Sequence, residues 1–326
     1  MKKLVEGFTG QLQEALDIAN AAVLTKKNNI QNIVITGLGG SGIGGTILSE
    51  LIQAECPVPV IVNKDYFLPD FISPNSLVII SSYSGNTEET ISAMQQAIHK
   101  KAQIVCVTSG GKVQELAKQN NYDTIIIPGG NPPRSCIGYS LVQLFKIVEF
   151  NGLVKTNLLK QVEESIILLN KENSSIKTEA MDIAKVLFGK IPVIYSLGSC
   201  EGTVVRFRQQ INENSKMLCW HHTLPEMNHN ELVGWTVKNN DLAVVTFHTS
   251  FDYERTQKRY EICRTIFEKY SSSVTDIKAK GNSKLEQFLY LINIGDWISC
   301  YIADLKQIDP VEVDVITNLK NELAKF

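Results

Sequence analysis

The sequence predicts two doubly wound, parallel-sheet α/β domains in tandem, and three observations carry that expectation. Short β-branched runs alternate with helical stretches through the first half of the chain. Glycine- and hydroxyl-rich turns follow the ends of those runs. The same strand, turn and helix order then begins again near residue 191. Strand–helix alternation implies parallel strands covered by helices on both faces. The 326 residues are enough for two such units, each with its own core.

NIVITGLG (32–39), PVIVNK (59–64), SLVIISS (76–82), AQIVCVT (102–108) and DTIIIPGG (123–130) read as strands buried on both faces. GTILSELIQ, ETISAMQQAIHKK and KVQELAKQN read as the helices between them. IGYSLVQLFKIVEFNGLV (137–154) reads as a long helix closing the unit, and a polar helical region follows over 155–188. IPVIYSLGSCEGTVVRFRQQINEN starts the order afresh, with Ile194 to Ser199 a faint echo of Ile35 to Ser41. DLAVVTFHTS (241–250) and SSVTDIKAKG (272–281) supply further strands. YERTQKRYEICRTIFEKY and KLEQFLYLINIGDWISCYIADL supply further helices. The expected division is residues 1–152 and 153–326, an internal duplication.

Composition excludes several classes. A formal net charge of −2 gives no global attraction to nucleic acid or a membrane surface. Apolar runs such as VIIS and IILL are too short to span a bilayer. MKKLVEGFTGQLQEAL lacks the apolar core of a signal peptide and reads as an amphipathic helix. Seven cysteines, an odd number without a CxxC pair, fit reduced thiols in a cytoplasm and neither a disulfide framework nor a zinc site. No cofactor or metal is expected.

GLGGSGIGG (37–45) satisfies G-x-G-x-x-G at Gly37, Gly39, Gly42 and again at Gly40, Gly42, Gly45. Its glycines would let backbone N–H groups approach an anion at a helix N-terminus. A dinucleotide would want an acidic residue about twenty positions on, and Asp65 is roughly placed. On the glycines alone, dinucleotide, sugar phosphate and bare turn all stay open. The absence of GxxxxGK[ST] argues against a nucleoside triphosphate.

SSYSGNTEET (81–90) shifts the balance. Ser82, Ser84 and Thr87 can each donate to a phosphate oxygen, and Gly85 permits the turn. The next helix starts near Asn86 or Thr87, so its free N–H groups point into the same space. Glu88 and Glu89 fall in its first turn, where the dipole favours them. A simple helix cap needs only one of these hydroxyls.

GGSG, with Gly40 and Ser41, followed by SYSGNTEET resembles the sugar-isomerase (SIS) domain, a phosphosugar-binding fold of the flavodoxin-like class. The resemblance implies that the serines and threonine of the second loop grip a sugar phosphate.

Arg134, in PGGNPPRSCIGYS, is the only arginine in the first 205 residues. A position that takes a planar, permanently charged fork in a lysine-using stretch is a candidate for binding developing negative charge. INENSKMLCWHHTLPEMNHNELVGW (211–235) holds Glu213 between two asparagines and His229 in NHNE. Aldose–ketose isomerisation needs a base to move a proton between C2 and C1, and an acid/base group to open the ring. A carboxylate, an imidazole and a cation facing the enediolate suffice without a metal. His221 and His222 compete with His229 for the imidazole role, and WHHT reads as strand or loop.

Together, PPR, QINEN, NHNELVGW and a terminal LK resemble the bifunctional phosphoglucose/phosphomannose isomerases over almost the whole chain. The resemblance implies Glu213 as base and Arg134 as enediolate stabiliser. It implies His229 for ring opening, supplied by the neighbouring subunit of a homodimer, assisted by a C-terminal lysine. Lys320 matches, with Lys325 the alternative. Family members often carry a threonine before this lysine, linked to accepting both C2 epimers; DPVEVDVITNLK offers only Thr317. Three other readings compete: a non-catalytic phosphosugar sensor, a nicotinamide-dependent oxidoreductase, and a lyase or transferase acting on amino-sugar phosphates.

Overall fold

The computed structural model describes residues 1–198 and 200–325. Two short N-terminal helices, α1 (Lys2–Glu6) and α2 (Phe8–Ala21), precede the first sheet. Its elements follow in order: β1 (Asn32–Thr36), α3 (Gly39–Ile52), β2 (Val60–Asn63), β3 (Ser76–Ser82), α4 (Glu88–His99), β4 (Gln103–Thr108), α5 (Gly111–Gln119) and β5 (Asp123–Ile126). All neighbours pair in parallel, in the order β2-β1-β3-β4-β5. This is the flavodoxin-like order, whose direction reverses between β1 and β3. Central β3 is buried along its whole length, whereas edge strands β2 and β5 are half-buried. The central runs were therefore easy to read from sequence, and DTIIIPGG ends as a strand at Ile126.

A 3-10 turn at Pro133–Ser135 leads into α6 (Ile137–Phe150), and α7 (Leu158–Leu187) bridges to the second sheet. That sheet is built from β6 (Ile191–Leu197), α8 (Glu201–Ser215), β7 (Trp220–Leu224), β8 (Leu242–His248), α9 (Glu254–Tyr270) and β9 (Ser273–Lys278). Its order is β7-β6-β8-β9, again all parallel, with the reversal between β6 and β8. WHHT is thus an edge strand. α10 (Lys284–Lys306) and α11 (Asp314–Leu323) complete the chain.

The two sheets are bound by a shared core. α10 is buried on nearly every side and packs with α7 and α8, while α3 packs on α8. One apolar cluster runs through both units, joining Leu12, Ile35, Ile79 and Phe145 to Phe207, Phe247 and Phe288. Separate clusters fill the outer faces of each sheet. Because α3 and α8 start at the carboxyl ends of β1 and β6, their packing brings the two sheets' ligand-facing turns towards one another. No described helix is long and apolar enough to cross a membrane. All seven cysteines are free thiols.

Candidate active site

The first switch point is assembled from three turns. Leu38 begins α3, and its carbonyl accepts the Ser41 and Gly42 amides. Ser41 Oγ accepts the Tyr83 amide at 3.1 Å, tying the glycine-rich turn to the loop after β3. Tyr83 Oη in turn accepts the Asn131 amide at 3.2 Å, tying that loop to the segment carrying Arg134. The Pro133 carbonyl lies 3.1 Å from where a Cβ on Gly40 would stand. Side chains are small or absent here because three backbones meet.

Within the hydroxyl loop, Ser82 Oγ and Thr87 Oγ1 lie 3.2 Å apart, and Ser84 Oγ accepts the Asn86 amide. Thr87 is the N-cap of α4, yet its hydroxyl makes no cap bond to the helix. Among the described residues, nothing accepts the amides of Gly39, Gly40, Thr87 or Glu88. First-turn N–H groups left open at two helices, beside the Ser84 and Thr87 hydroxyls, are donors that an anion could accept from. Gly85 is required: its φ is +69°, and a Cβ would sit 1.8 Å from the Gly110 carbonyl oxygen. Gly42 is explained without a dinucleotide, since a Cβ there would stand 2.3 Å from the Gly37 carbonyl oxygen. Asp65 is turned to its own neighbour, accepting the Tyr66 amide.

The second switch point is filled from within. Asp252, itself buried, accepts both the amide and the hydroxyl of Thr249 at 2.8 Å. Gln287 takes the Ser250 amide at 2.8 Å. Glu50, from α3, takes the Gly202 amide in the first turn of α8 at 2.8 Å. A cavity of about 520 Å³ opens there, but carboxyl and amide oxygens already stand where an anion's oxygens would. Ser199, part of the sequence echo, lies outside the described residues.

Arg134 leaves the 3-10 turn and is 5% exposed. Its Nη1 donates to Glu213 Oε2 at 3.2 Å, and its Nε donates to Asn214 Oδ1 at 2.8 Å. Its Nη2 donates to the carbonyls of Pro310 and Val311 at 2.7 and 3.1 Å. Glu213 lies in the last turn of α8, with its side chain one-third exposed. The pair therefore joins the carboxyl end of the first sheet to the helix after β6. A carboxylate reachable from solvent and a buried guanidinium beside it offer a proton acceptor next to a site that favours new negative charge.

The structure thus links the turn of Gly40 and Ser41 and the loop of Ser82, Ser84 and Thr87 to the segment carrying Arg134, and Arg134 to Glu213. It does not bring His229 or Lys320 there within the chain. His229 is exposed at the end of a 3-10 turn beyond β7, and no described hydrogen bond or ion pair links it to Glu213 or Arg134. Lys320 is exposed on α11, which buries none of its side chains. Lys325 pairs with Glu322 at 2.6 Å. The rival imidazoles are engaged elsewhere. Burial pushes the His221 ring below its ordinary pKa, towards the neutral form, near Glu201. His222 Nδ1 accepts the Thr223 amide.

Sequence reasoning missed the frame behind Arg134. Arg206, Gln210 and Asn214 stand four residues apart on one face of α8, each almost fully buried. Arg206 donates to the Arg134 carbonyl at 3.0 Å and to Asp296 at 2.6 Å, and Gln210 donates to the other Asp296 oxygen at 2.8 Å. A signal was present: Asp296 is the one charge inside LYLINIGDWISCYI, and a buried charge implies a partner. Lys216 was also missed. It donates to the carbonyls of Glu213 and Glu312, anchoring the chain before α11 against α8.

Comparison with known proteins identifies the family. Residues 176–323 match the model of the bacterial phospho-glucose isomerase C-terminal SIS domain. A bifunctional phosphoglucose/phosphomannose isomerase of Caldicellulosiruptor bescii is 40% identical, covering 100% of this chain and 99% of its own. The chain belongs to the bifunctional phosphoglucose/phosphomannose isomerase family. A second relative of that name, from Aquifex aeolicus, is 37% identical over 99% of this chain and 98% of its own. The fold also resembles the C-terminal domain of glucosamine-fructose-6-phosphate aminotransferase from Francisella tularensis. That likeness has a TM-score of 0.74 at 12% identity, covering 94% of this chain and 97% of the other. In this chain QINEN and NPPR are the segments that meet at the Arg134–Glu213 pair.

Proposed function

We propose that the protein interconverts glucose 6-phosphate, and also mannose 6-phosphate, with fructose 6-phosphate. The observation that carries this reading is the contact of buried Arg134 with Glu213 beside open N–H and O–H donors. In this reading residues 1–152 hold the phosphate and residues 153–326 supply the base. Gly40, Ser41, Ser82, Ser84 and Thr87 bind the phosphate through N–H and O–H donors. Glu213 takes the proton from C2 of the open-chain aldose and returns it to C1. The enediolate oxygen that becomes negative in between is held by the Arg134 guanidinium. The same base serves both C2 epimers if the intermediate turns its planar face, since the enediol has no stereocentre at C2.

Ring opening needs an imidazole that the chain does not place at its own crevice. His229 reaches it from a second subunit of a homodimer, with Lys320 assisting. Every group in this scheme is a side chain or a backbone N–H, so chelation leaves the rate unchanged. The protein works as a cytoplasmic enzyme with reduced thiols.

A coupled assay with glucose 6-phosphate and mannose 6-phosphate, with and without chelator, tests the reading. Turnover of both, insensitive to chelator and without binding of NAD(H), is the expected result. Binding of fructose 6-phosphate with no turnover of either aldose would instead support a phosphosugar sensor.

A further inference from the structure

We propose that Asn214 is a positioning residue for the isomerisation, fixing the rotation of the Arg134 guanidinium so that its Nη1 edge faces Glu213 and the reacting carbons. This rests on the reading of Arg134 as the enediolate stabiliser. A guanidinium carries five N–H donors. Nε–H goes to Asn214, both Nη2 hydrogens go to the carbonyls of Pro310 and Val311, and one Nη1 hydrogen goes to Glu213. Among the described residues that leaves one donor, on Nη1, beside the base. The free donor is therefore on the edge where the proposed reaction creates charge.

Asn214 is suited to the task because it is itself held at both ends. Its Oδ1 accepts Arg134 Nε–H at 2.8 Å, and its Nδ2 donates to Ser299 Oγ at 3.0 Å. Ser299 Oγ donates onward to the Asp296 carbonyl at 2.7 Å. Asn214 and Ser299 are 0% exposed, so no water replaces either bond from bulk solvent. The chain of bonds runs from α10 through α8 to the guanidinium. Only an amide both accepts from Arg134 and donates to Ser299; an aspartate lacks the second donor, and leucine lacks both functions. Glu213 is the preceding residue on the same helix turn, so one backbone segment sets the base and the orientation of its partner together.

The role is tested with kcat and KM for fructose 6-phosphate in Asn214→Ala, Ser299→Ala, Arg134→Met and the Asn214→Ala/Arg134→Met double variant. Asn214→Ala is expected to lower kcat about 10- to 100-fold with KM within about twofold, because a misdirected group costs the transition state and not phosphate binding. Ser299→Ala is expected to lower kcat about threefold or more. In the Arg134→Met background, Asn214→Ala should cost nothing further. Full kcat in Asn214→Ala, or an equal loss in both backgrounds, overturns the proposal. If Asn214→Ala does not fold, Ser299→Ala decides: an unchanged kcat overturns the proposal. Glu213→Gln is run alongside. Parental activity there fails the reading of the whole site, whereas an inactive Glu213→Gln beside a fully active Asn214→Ala fails only the positioning role.

Discussion

Arg134 and Glu213 are 79 residues apart in sequence and 3.2 Å apart in space. Each was legible alone: Arg134 as an isolated arginine among lysines, Glu213 inside a run of polar residues at a helix end. Their meeting was implied by the resemblance alone, because spacing does not show α3 packing against α8 across two sheets. Asn214 and Asp296 were visible as letters, but their partners, Arg134 and Ser299 for the one and Arg206 and Gln210 for the other, were not. Sequence spacing shows which residues share a helix face and is silent on what the face meets. Glu50 is the sharpest residue-scale surprise. Burial, opposed by its bond from the Gly202 amide, raises its carboxyl from an ordinary 4.5 to about 7. A raised acid pKa means that the folded state binds the proton more tightly. The associated stability is present below about pH 4.5 and is lost as pH rises through about 7. Urea unfolding should therefore lose on the order of 2 kcal/mol between pH 5 and pH 8 relative to Glu50→Gln. Equal pH slopes in the two proteins would contradict the assignment.

At the scale of elements, the two switch points differ by what fills them. In the loop after β3 the Ser84 and Thr87 hydroxyls donate to no described group and the first amides of α4 stay open, while the loop after β8 folds Asp252 back onto Thr249. The sequence hinted at this difference, since SSYSGNTEET has no acid before its helix and HTSFDYER places one in the turn. The carbonyls that hold Arg134, from Pro310 and Val311, left no such mark, because any residue can supply a carbonyl. The proposed phosphate site is therefore at the first sheet and not at the second. Ser84→Ala combined with Thr87→Ala should raise KM for fructose 6-phosphate about tenfold or more, from the loss of two charge-facing donors. Asp252→Asn should leave KM within about twofold. The reverse ranking of the two variants in steady-state kinetics would place the phosphate at the second sheet.

At the scale of the whole molecule, the fold class was readable because central parallel strands are continuous apolar runs. The meeting of the sheets was hidden in tertiary packing along α10. The exposed His229 and the unburied α11, with Val315 82% and Leu319 60% exposed, fit a protomer that is completed by a second copy. Mixing inactive Glu213→Gln and His229→Ala subunits should then restore up to about a quarter of the parental activity, from hybrid dimers carrying one intact site. No recovery after verified subunit exchange would place both residues in one subunit's site.

The central claim is that Glu213 moves the proton at C2. Following fructose 6-phosphate by NMR in deuterated water separates proton transfer from binding. The parental protein should form glucose 6-phosphate carrying deuterium at C2. Glu213→Gln should retain its fold and its affinity for the sugar phosphate, and lose about 10²- to 10⁴-fold in that exchange. Exchange in Glu213→Gln at the parental rate would contradict the account.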